Sequence, residues 1–380
     1  MLQPVQKSVG DKALPYLRAA HIQPNGRLDL AVEGNEMWFT EREQSLLDLC
    51  AGDVVVVEGG AVGRSAFLRE DIPGWGFQNA VLRLRPRAGV DGRYIDYCLQ
   101  SAVNSGAVEA VCTPVSIAHF TAEKVARFRI PFHGEVAQRT IADYLDRETV
   151  VIDVMIAKLE ELSEKLKIRR STTASSLHTM GFGPVRLQWL MSEVDERAGD
   201  SLRDLPLLSV SIHHGVQLRE ESTSRQQASV DLSRYKVVRA GEIVLNRMRA
   251  FQGGLGKASV DGLVSPDYAV LRPHSQLVPD WAEHVMRSSE FVRSMSQWLR
   301  GIGAADQSKV RTPRINVRDL LGLSIPLPST EEQRNIVGSL DEMTAKLDAM
   351  LGKVADLKSL LFERRAALIT DVVTGKKEVA

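Results

Sequence analysis

The chain has 380 residues, of which 44% are hydrophobic and 25% charged, and its 48 basic and 48 acidic residues give a formal net charge of zero. This length allows two or more domains, and the zero net charge gives no overall reason to expect a nucleic-acid partner. Three cysteines without paired spacing argue against a disulfide framework or a zinc site. The start, "MLQPVQKSVGDK", has no apolar signal core, so we expect a protein of the reducing cytoplasm.

Residues 1–132 predict a first globular domain. In "CAGDVVVVEGGAVGRSAFL" an Ala-Gly-acid step precedes an apolar strand and a glycine-containing turn that carries Arg64. The stretches "NAVLRLRP" and "FTAEKVARFRIP" follow and end the domain on an Ile-Pro step. The domain begins almost at "LPYLRAAHI", so we expect its N-terminus to be shortened relative to the second domain.

Residues 133–180 predict a first long helix. With Glu148 included, its apolar residues recur at alternating steps of four and three, which is a heptad seam. The seam consists of Ile141, Leu145, Ile152, Met155, Leu159, Leu162 and Leu166. Running from about residue 135 to 177, such a helix would be roughly 65 Å long at 1.5 Å per residue.

Residues 181–327 predict a second globular domain, and residues 328–380 a second long helix. The domain repeats the earlier pattern in "RAGEIVLNRMRAFQGGLGKAS", "YAVLRP" and "INVRDLLGLSIP", with Lys257 as the basic residue of the turn. Ser329 and Glu332 have the spacing of a capping box at the start of the helix. The seam of this helix consists of Ile336, Leu340, Leu347, Met350, Val354, Leu357 and Leu361.

The chain therefore contains an internal repeat. "IPFHGEVAQRTIADYLD" begins at Ile130 and "IPLPSTEEQRNIVGSLD" at Ile325, 195 residues later, and both contain Ile-Pro, Gln-Arg-x-Ile and Leu-Asp. We predict an α+β fold in which two similar mixed α/β domains are separated by two long helices with pseudo-twofold symmetry. The helices should pair as an antiparallel coiled coil. The predicted pairing residues are Leu145, Ile152, Met155, Leu159, Leu162 and Leu166 against Leu340, Leu347, Met350, Val354, Leu357 and Leu361.

No complete catalytic motif is present in the sequence. "GGLGK", which ends at Lys257, has Phe251 where a phosphate-binding loop needs glycine. The pair His213-His214 lacks a second cluster at metal-ligand spacing, and Asp267 lacks partner carboxylates. We expect a non-catalytic chain that binds no metal or cofactor.

The motif "IP-x-P…EQR-x-I…LD", the heptads after it and "ERRAALITDVVTGK" resemble the specificity subunit of type I restriction-modification enzymes. The first copy ends in a degenerate "IRRSTTASSLHTMG". The resemblance implies two target-recognition domains that each read one half of a split double-stranded DNA sequence. It also implies that the helices fix the spacing and dock two methyltransferase (modification) subunits, through which motor-endonuclease (restriction) subunits bind. The assembled complex would be an adenine-N6 DNA methyltransferase and an ATP-dependent endonuclease.

Candidate DNA-binding residues are the basic and amide side chains of the loops, because Arg and Lys suit guanine and phosphate and Gln suits adenine. In the second domain they are Arg225, Gln226, Gln227, Arg247, Arg249, Gln252, Lys257, Gln307, Lys309, Arg311 and Arg314. In the first domain they are Arg64, Ser65 and Ser116, with His119 nearby. Each loop could equally be an ordinary solvated loop, and Arg64 could instead cap a turn or pair with Asp53.

The leading hypothesis is a non-catalytic DNA-recognition and scaffolding subunit. The alternative is an orphan coiled-coil adaptor without sequence-specific DNA binding, and the third hypothesis is an enzyme with an undetected nuclease centre. Neighbouring genes for an adenine methyltransferase and a helicase-nuclease would favour the first.

Overall fold

The computed structural model describes residues 4–34, 36–77, 80–112, 118–175, 177, 180–199, 204–212, 214–219, 232–297 and 314–379. The chain forms two compact units, the first made of residues 1–160 with 355–380 and the second of residues 161–354. Each unit contains one globular domain and a part of both long helices. No helix among the described residues is long and apolar enough to cross a membrane.

The first unit contains small sheets and short helices ahead of the first long helix. In chain order the elements are β1 (Lys12–Leu17), β2 (Glu36–Phe39), α1 (Glu41–Leu46), β3 (Val54–Val57), β4 (Ser65–Phe67), β5 (Gly76–Phe77), β6 (Val81–Leu84), α2 (Gly92–Asn104), α3 (Ala107–Val111), α4 (Ala122–Arg127) and α5 (Glu135–Ser175). Helix α5 continues into the second unit. The strands form two three-stranded sheets, in the orders β2-β1-β5 and β4-β3-β6.

Strand β3 is the centre of the first domain. Its four valines are fully buried: Val55 and Val57 lie in one apolar cluster, and Val54 and Val56 in another on the opposite face. A strand buried on both faces requires a continuous apolar run instead of alternation, which explains the sequence "VVVV".

The second unit repeats this plan with more strands. Its elements are β7 (Pro184–Arg186), β8 (Met191–Val194), β9 (Leu208–Ser211), β10 (Gly215–Leu218), β11 (Lys236–Val238), β12 (Ile243–Leu245), β13 (Leu255–Lys257), β14 (Gly262–Val264), β15 (Ala269–Pro273), α6 (Pro279–Arg287), α7 (Ser289–Ser296), α8 (Val317–Leu321), β16 (Ser324–Pro326) and α9 (Thr330–Val373). Helix α9 continues into the first unit. The largest sheet has the order β13-β12-β15-β8, and the pairs β10-β9, β11-β14 and β16-β7 complete the domain. Two mixed α/β domains and two long helices confirm the predicted fold class.

The two domains differ at the edges of their sheets. In the second domain β8 extends the sheet beside β15, and β7 pairs with β16 over the Ile-Pro step, so Ile325 is fully buried. Among the described residues of the first unit, β6 has no such neighbour. Phe132, which follows the first Ile-Pro step, is 76% exposed.

Within each unit the segments of α5 and α9 run antiparallel. In the first unit Asp153 pairs with Arg365 at 3.0 Å, and Glu160 pairs with Lys358 at 2.9 Å. In the second unit Arg170 pairs with Asp348 at 2.9 Å. The partner's number falls along α9 as the number rises along α5, which is the signature of antiparallel helices.

The buried seam shares only every second position with the predicted one. Leu145, Ile152, Leu340, Leu347, Val354 and Leu361 are buried, and Leu159 and Leu166 are half-buried. Met155, Leu162, Met350 and Leu357 are instead 43–52% exposed. The alternate seam positions lie one residue later, at Ile156, Ser163, Leu351 and Lys358. Both phases have alternating steps of four and three, so the periodicity alone did not distinguish them.

The capping box predicted for the second helix is present. The Glu332 backbone amide donates to Ser329 Oγ at 3.3 Å, and the Ser329 amide donates to Glu332 Oε2 at 2.9 Å. The hydrogen bonds from Ser329 lower the pKa of the Glu332 carboxyl group. This reciprocal pair satisfies two backbone donors that the first turn of a helix leaves free.

Candidate functional site

The Ile-Pro step of each repeat accepts a hydrogen bond from a buried aromatic side chain. Tyr94 donates its hydroxyl to the Pro131 carbonyl at 3.0 Å, and Trp281 donates Nε1 to the Pro326 carbonyl at 3.1 Å. The two aromatic residues are the third residues of α2 and α6, and both are almost fully buried. A buried polar tip needs such a partner.

The repeated glutamine fixes the start of the same two helices. Gln138 Oε1 accepts from the backbone amide of Asp91, the N-cap of α2, at 3.0 Å. Gln333 Oε1 accepts from the backbone amide of Val278, the N-cap of α6, at 2.7 Å. Both glutamine side chains are fully buried, and each also donates to a carbonyl five residues earlier in its own repeat.

The repeated Leu-Asp step makes a third equivalent contact. Asp146 Oδ1 accepts from the Tyr97 hydroxyl at 2.7 Å, and Asp341 Oδ1 lies 3.0 Å from His284 Nε2. Tyr97 and His284 are the sixth residues of α2 and α6. Burial raises the pKa of Asp146, but the hydrogen bond from Tyr97 and the charge of Arg69 outweigh it and leave the pKa below its usual value.

The repeated passage is thus a docking motif. In each unit the same three of its residues hold the N-cap, third and sixth residues of one domain helix against the start of a long helix. The Ile-Pro and Gln-Arg signals were visible in the sequence, but Tyr94 and Trp281, the partners of the Ile-Pro steps, were missed. They lie 37 and 45 residues before the prolines that accept their hydrogen bonds, which is too far for a local pattern.

We expect Gln138→Ala and Gln333→Ala each to lower the free energy of unfolding by about 1–3 kcal/mol, because each leaves a buried backbone amide and a carbonyl unpaired. Arg139→Ala and Arg334→Ala are matched controls, since these neighbours belong to the same repeated step but are exposed. Denaturant unfolding of the four variants measures the difference. Equal losses in a glutamine variant and its arginine control would contradict the docking role.

A second equivalent arrangement lies at the hairpins that follow β3 and β12. The Phe120 amide donates to the Glu58 carbonyl at 2.8 Å, and the Ile315 amide donates to the Arg247 carbonyl at 3.1 Å. This bond joins the hairpin loop to a segment that is distant in the chain: residues 118–120 in the first unit and residues 314–315 in the second. Of the predicted loop residues in these entering segments, the described ones, His119 and Arg314, are therefore adjacent to residues bonded to the hairpin loops.

The described candidates of the second domain fall into two groups. Arg249 and Gln252 are exposed in the hairpin loop. The others already have partners: Arg247 Nε donates to the Ile315 carbonyl, Arg314 pairs with Asp267 at 2.6 Å, and Lys257 pairs with Asp280. The candidates Arg225, Gln226, Gln227, Gln307, Lys309 and Arg311, and with them Ser116 and His213, lie outside the described residues.

In the first domain Arg64 donates to the Ile22 carbonyl at 3.3 Å and His119 is exposed. Ser65 is 1% exposed and donates to Asp96 Oδ1 at 2.6 Å. We remove Ser65 from the candidate DNA contacts, because a buried hydroxyl with a carboxylate partner cannot reach a base edge.

The acid of each Ala-Gly-acid step has a structural role. Asp53 is buried and accepts from Arg85 Nε at 2.8 Å, so its partner is Arg85 and not Arg64. Glu242 is buried in the same way and accepts from Arg272 Nε at 2.6 Å. Within the described ranges, no three His, Cys, Asp or Glu side chains form a group that could hold a metal ion.

The chain matches no protein-family model, and it matches no curated protein. Solved structures do match it over nearly its whole length. One chain, from a structure of complex assembly and conformational transition of the type I restriction-modification system, is 16% identical with a TM-score of 0.70 and covers 96% of this chain and 92% of that chain. The HsdS subunit from Thermoanaerobacter tengcongensis is 18% identical with a TM-score of 0.55 and covers 97% of this chain and 92% of that chain. The chain therefore has the fold of the specificity (HsdS) subunits of type I restriction-modification systems.

Proposed function

We propose that this chain is the DNA sequence-recognition subunit of a type I restriction-modification complex. Each globular domain reads one half of a bipartite, asymmetric target, and the two long helices set the gap between the halves. The chain itself is not catalytic; methylation and cleavage belong to the subunits that it carries. The likeness to the HsdS fold supports this proposal.

The observation that carries the proposal is the duplicated docking motif. Two domains of different sequence are each held on a long helix by the same three side-chain contacts. A reader of two separated half-sites needs such an attachment, because half-sites on one face of B-DNA lie about 34 Å apart or a multiple of it. Because the two readers differ in sequence, the target should not be a palindrome.

The exposed apolar side chains of the long helices are the proposed docking faces for two methyltransferase subunits. In the first unit Val151, Met155, Leu357 and Leu360 are 46–59% exposed. In the second unit Leu162, Ile168, Met343 and Met350 are 41–60% exposed. Exposed apolar side chains that lie next to one another on a surface are typical of a site that a partner covers. The presence of one such set in each unit fits two equivalent partners.

In the described part of the second domain, the hairpin after β12 is the proposed reading element. Arg249 projects from an exposed loop, and among the described residues its side chain has no ion-pair partner. A free guanidinium of this kind suits a guanine edge or a phosphate. Arg314 and Lys257 would first have to leave Asp267 and Asp280.

The proposal is tested by mapping N6-methyladenine in a host that carries this chain with its methyltransferase subunits. We expect a bipartite, asymmetric motif with a fixed gap of unspecified bases. In the Arg249→Ala variant, loss of a bidentate guanine contact would weaken binding by ~1–3 kcal/mol and relax one base of one half only. Loss of a phosphate contact would instead weaken binding to all sequences and reduce its salt dependence.

Lys346→Ala is the matched control, because it removes one exposed positive charge from α9 instead of from a reading loop. It should leave both halves of the motif and the salt dependence unchanged. A continuous or palindromic motif, or a gap of variable length in the wild type, would refute the proposed function.

A further inference from the structure

Arg365 on α9 is buried in the first unit, with 4% of its surface exposed. Its Nε donates to Asp153 Oδ1 of α5 at 3.0 Å, and its Nη1 donates to Gln100 Oε1 of α2 at 3.0 Å. Its Nη2 donates to the backbone carbonyl of Asn25 at 2.9 Å. One guanidinium thus joins both long helices, a domain helix and a loop of the first domain.

Two hydrogen-bonded routes lead from this guanidinium to the hairpin that carries Arg64. The first continues from Gln100, whose Nε2 donates to Asp96 Oδ2 at 2.8 Å, to Asp96, whose Oδ1 accepts from Ser65 Oγ at 2.6 Å. Ser65 follows Arg64 directly in the chain. Asp96 and Gln100 are buried, with 5% and 8% of their surfaces exposed, so water competes little for the hydrogen bonds of this route.

The second route passes through the loop at residues 22–26. The Asn25 carbonyl accepts from Arg365, and the Ile22 carbonyl of the same loop accepts from Arg64 Nη1. Gly26 has a φ of +73°, and a Cβ there would lie 2.4 Å from Gln100 Nε2 and 2.8 Å from Asp96 Oδ2. The loop therefore fits closely over the side chains of the first route.

The second unit has the same residues in the long helices but not the same connections. Arg170 and Asp348 stand 195 residues from Arg365 and Asp153, and they form the equivalent ion pair at 2.9 Å. The Arg170 side chain is 51% exposed. Among the described residues, it donates no hydrogen bond to the globular part of its unit.

Helix α6 of the second unit has a polar pair at the same positions as α2, but this pair makes different hydrogen bonds. Glu283 and Arg287 are the fifth and ninth residues of α6, as Asp96 and Gln100 are of α2. Arg287 donates to Glu283 and to the Ile212 carbonyl, which belongs to the same globular domain. Among the described residues, the hydrogen-bonded link from a long helix to the hairpin of the globular domain is therefore a feature of the first unit.

We propose that Arg365 is a positioning residue that fixes the Arg64 hairpin, the first-domain counterpart of the reading hairpin after β12, on the long helices, and thereby restricts the gap length that the complex accepts. This inference rests on the proposed function and adds the side chain that sets its geometry. Removing the guanidinium breaks both routes to Arg64 while the docking motif of α2 stays intact. The hairpin then meets its half-site in a wider range of positions along the DNA.

The test is methylation by the assembled complex of the cognate target and of targets whose gap is one base pair longer or shorter. For Arg365→Gln we expect the ratio of cognate to altered-gap methylation to fall at least tenfold, with the bases of both half-sites unchanged. Arg170→Gln is the matched control and should keep the wild-type ratio. A purely structural loss would lower methylation at all three targets and leave the ratio unchanged.

If Arg365→Gln does not assemble, Asp153→Asn weakens one anchor of the same guanidinium and should shift the ratio in the same direction by a smaller factor. If every Arg365 or Asp153 variant that assembles keeps the wild-type ratio of cognate to altered-gap methylation, this inference is overturned but the proposed function is not. An Arg170→Gln variant that shifts the ratio as far would also overturn the inference. Absence of any bipartite methylation by the wild type would refute the proposed function as well.

Discussion

Leu361→Glu is expected to destabilise the first unit by about 3 kcal/mol or more. Leu361 is buried against Ile152 and Ile156, where the two long helices pack together. The substitution removes this packing, which costs roughly 2–5 kcal/mol for a buried leucine, and places a charge in an apolar contact. Denaturant unfolding of the purified chain or of its complex measures the loss.

Met155→Glu is the matched control on the facing helix. Met155 has the heptad spacing of a seam residue but is 48% exposed, so we expect a change of at most about 0.5 kcal/mol in the free energy of unfolding. If the exposed apolar residues dock the methyltransferase subunits as proposed, this variant should nevertheless bind those subunits more weakly. Equal destabilisation by the two substitutions would contradict the seam position, and unchanged docking by Met155→Glu would contradict the docking face.

The second large effect is a pH dependence that Asp96 creates. Burial raises the pKa of its carboxyl group from 3.8 to about 6, against the hydrogen bonds from Ser65 and Gln100 and the charge of Arg365, which lower it. A carboxyl group with a raised pKa stabilises the fold most when it is protonated in the folded protein. Its contribution is fully present below the unfolded pKa and is lost as the pH rises through about 6.

We therefore expect the wild type to gain stability relative to Asp96→Asn as the pH falls. The rise in the pKa of Asp96 corresponds to about 3 kcal/mol of stability in all. Roughly half of this stability is gained as the pH falls from 7 to 5. Free energies of unfolding of both proteins across this range measure the difference. Parallel pH profiles would show that Asp96 keeps an ordinary pKa in the folded protein.

Much of the architecture follows from local patterns in the chain. The heptad steps predicted the two long helices, and the capping box placed the start of α9. The valine run predicted β3, because four consecutive β-branched residues suit a strand buried on both faces. The repeated passage predicted two similar domains. The heptad steps, the capping box and the valine run are local patterns, and each can be read from a single stretch of the chain.

The buried phase of the coiled coil was decided by the tertiary structure. Two phases share Leu145, Ile152, Val354 and Leu361, and the predicted seam was the one that adds Met155 and Leu162. In the folded chain the neighbouring phase faces inward instead: Ile156 is buried, and Ser163 and Lys358 are half-buried. Both phases have the same alternating steps, so no pattern within one helix decides which of them is buried.

The partners of individual polar side chains were also decided only in the folded protein. Asp53 pairs with Arg85 and not Arg64, Ser65 is turned inward to Asp96, and Arg365 is buried while Arg170 is exposed. The sequence by itself determined that the chain is built twice and that it carries no complete catalytic motif. Which side chains fasten each domain to its helices depends on contacts between residues up to 340 positions apart, and only the tertiary structure brings these together.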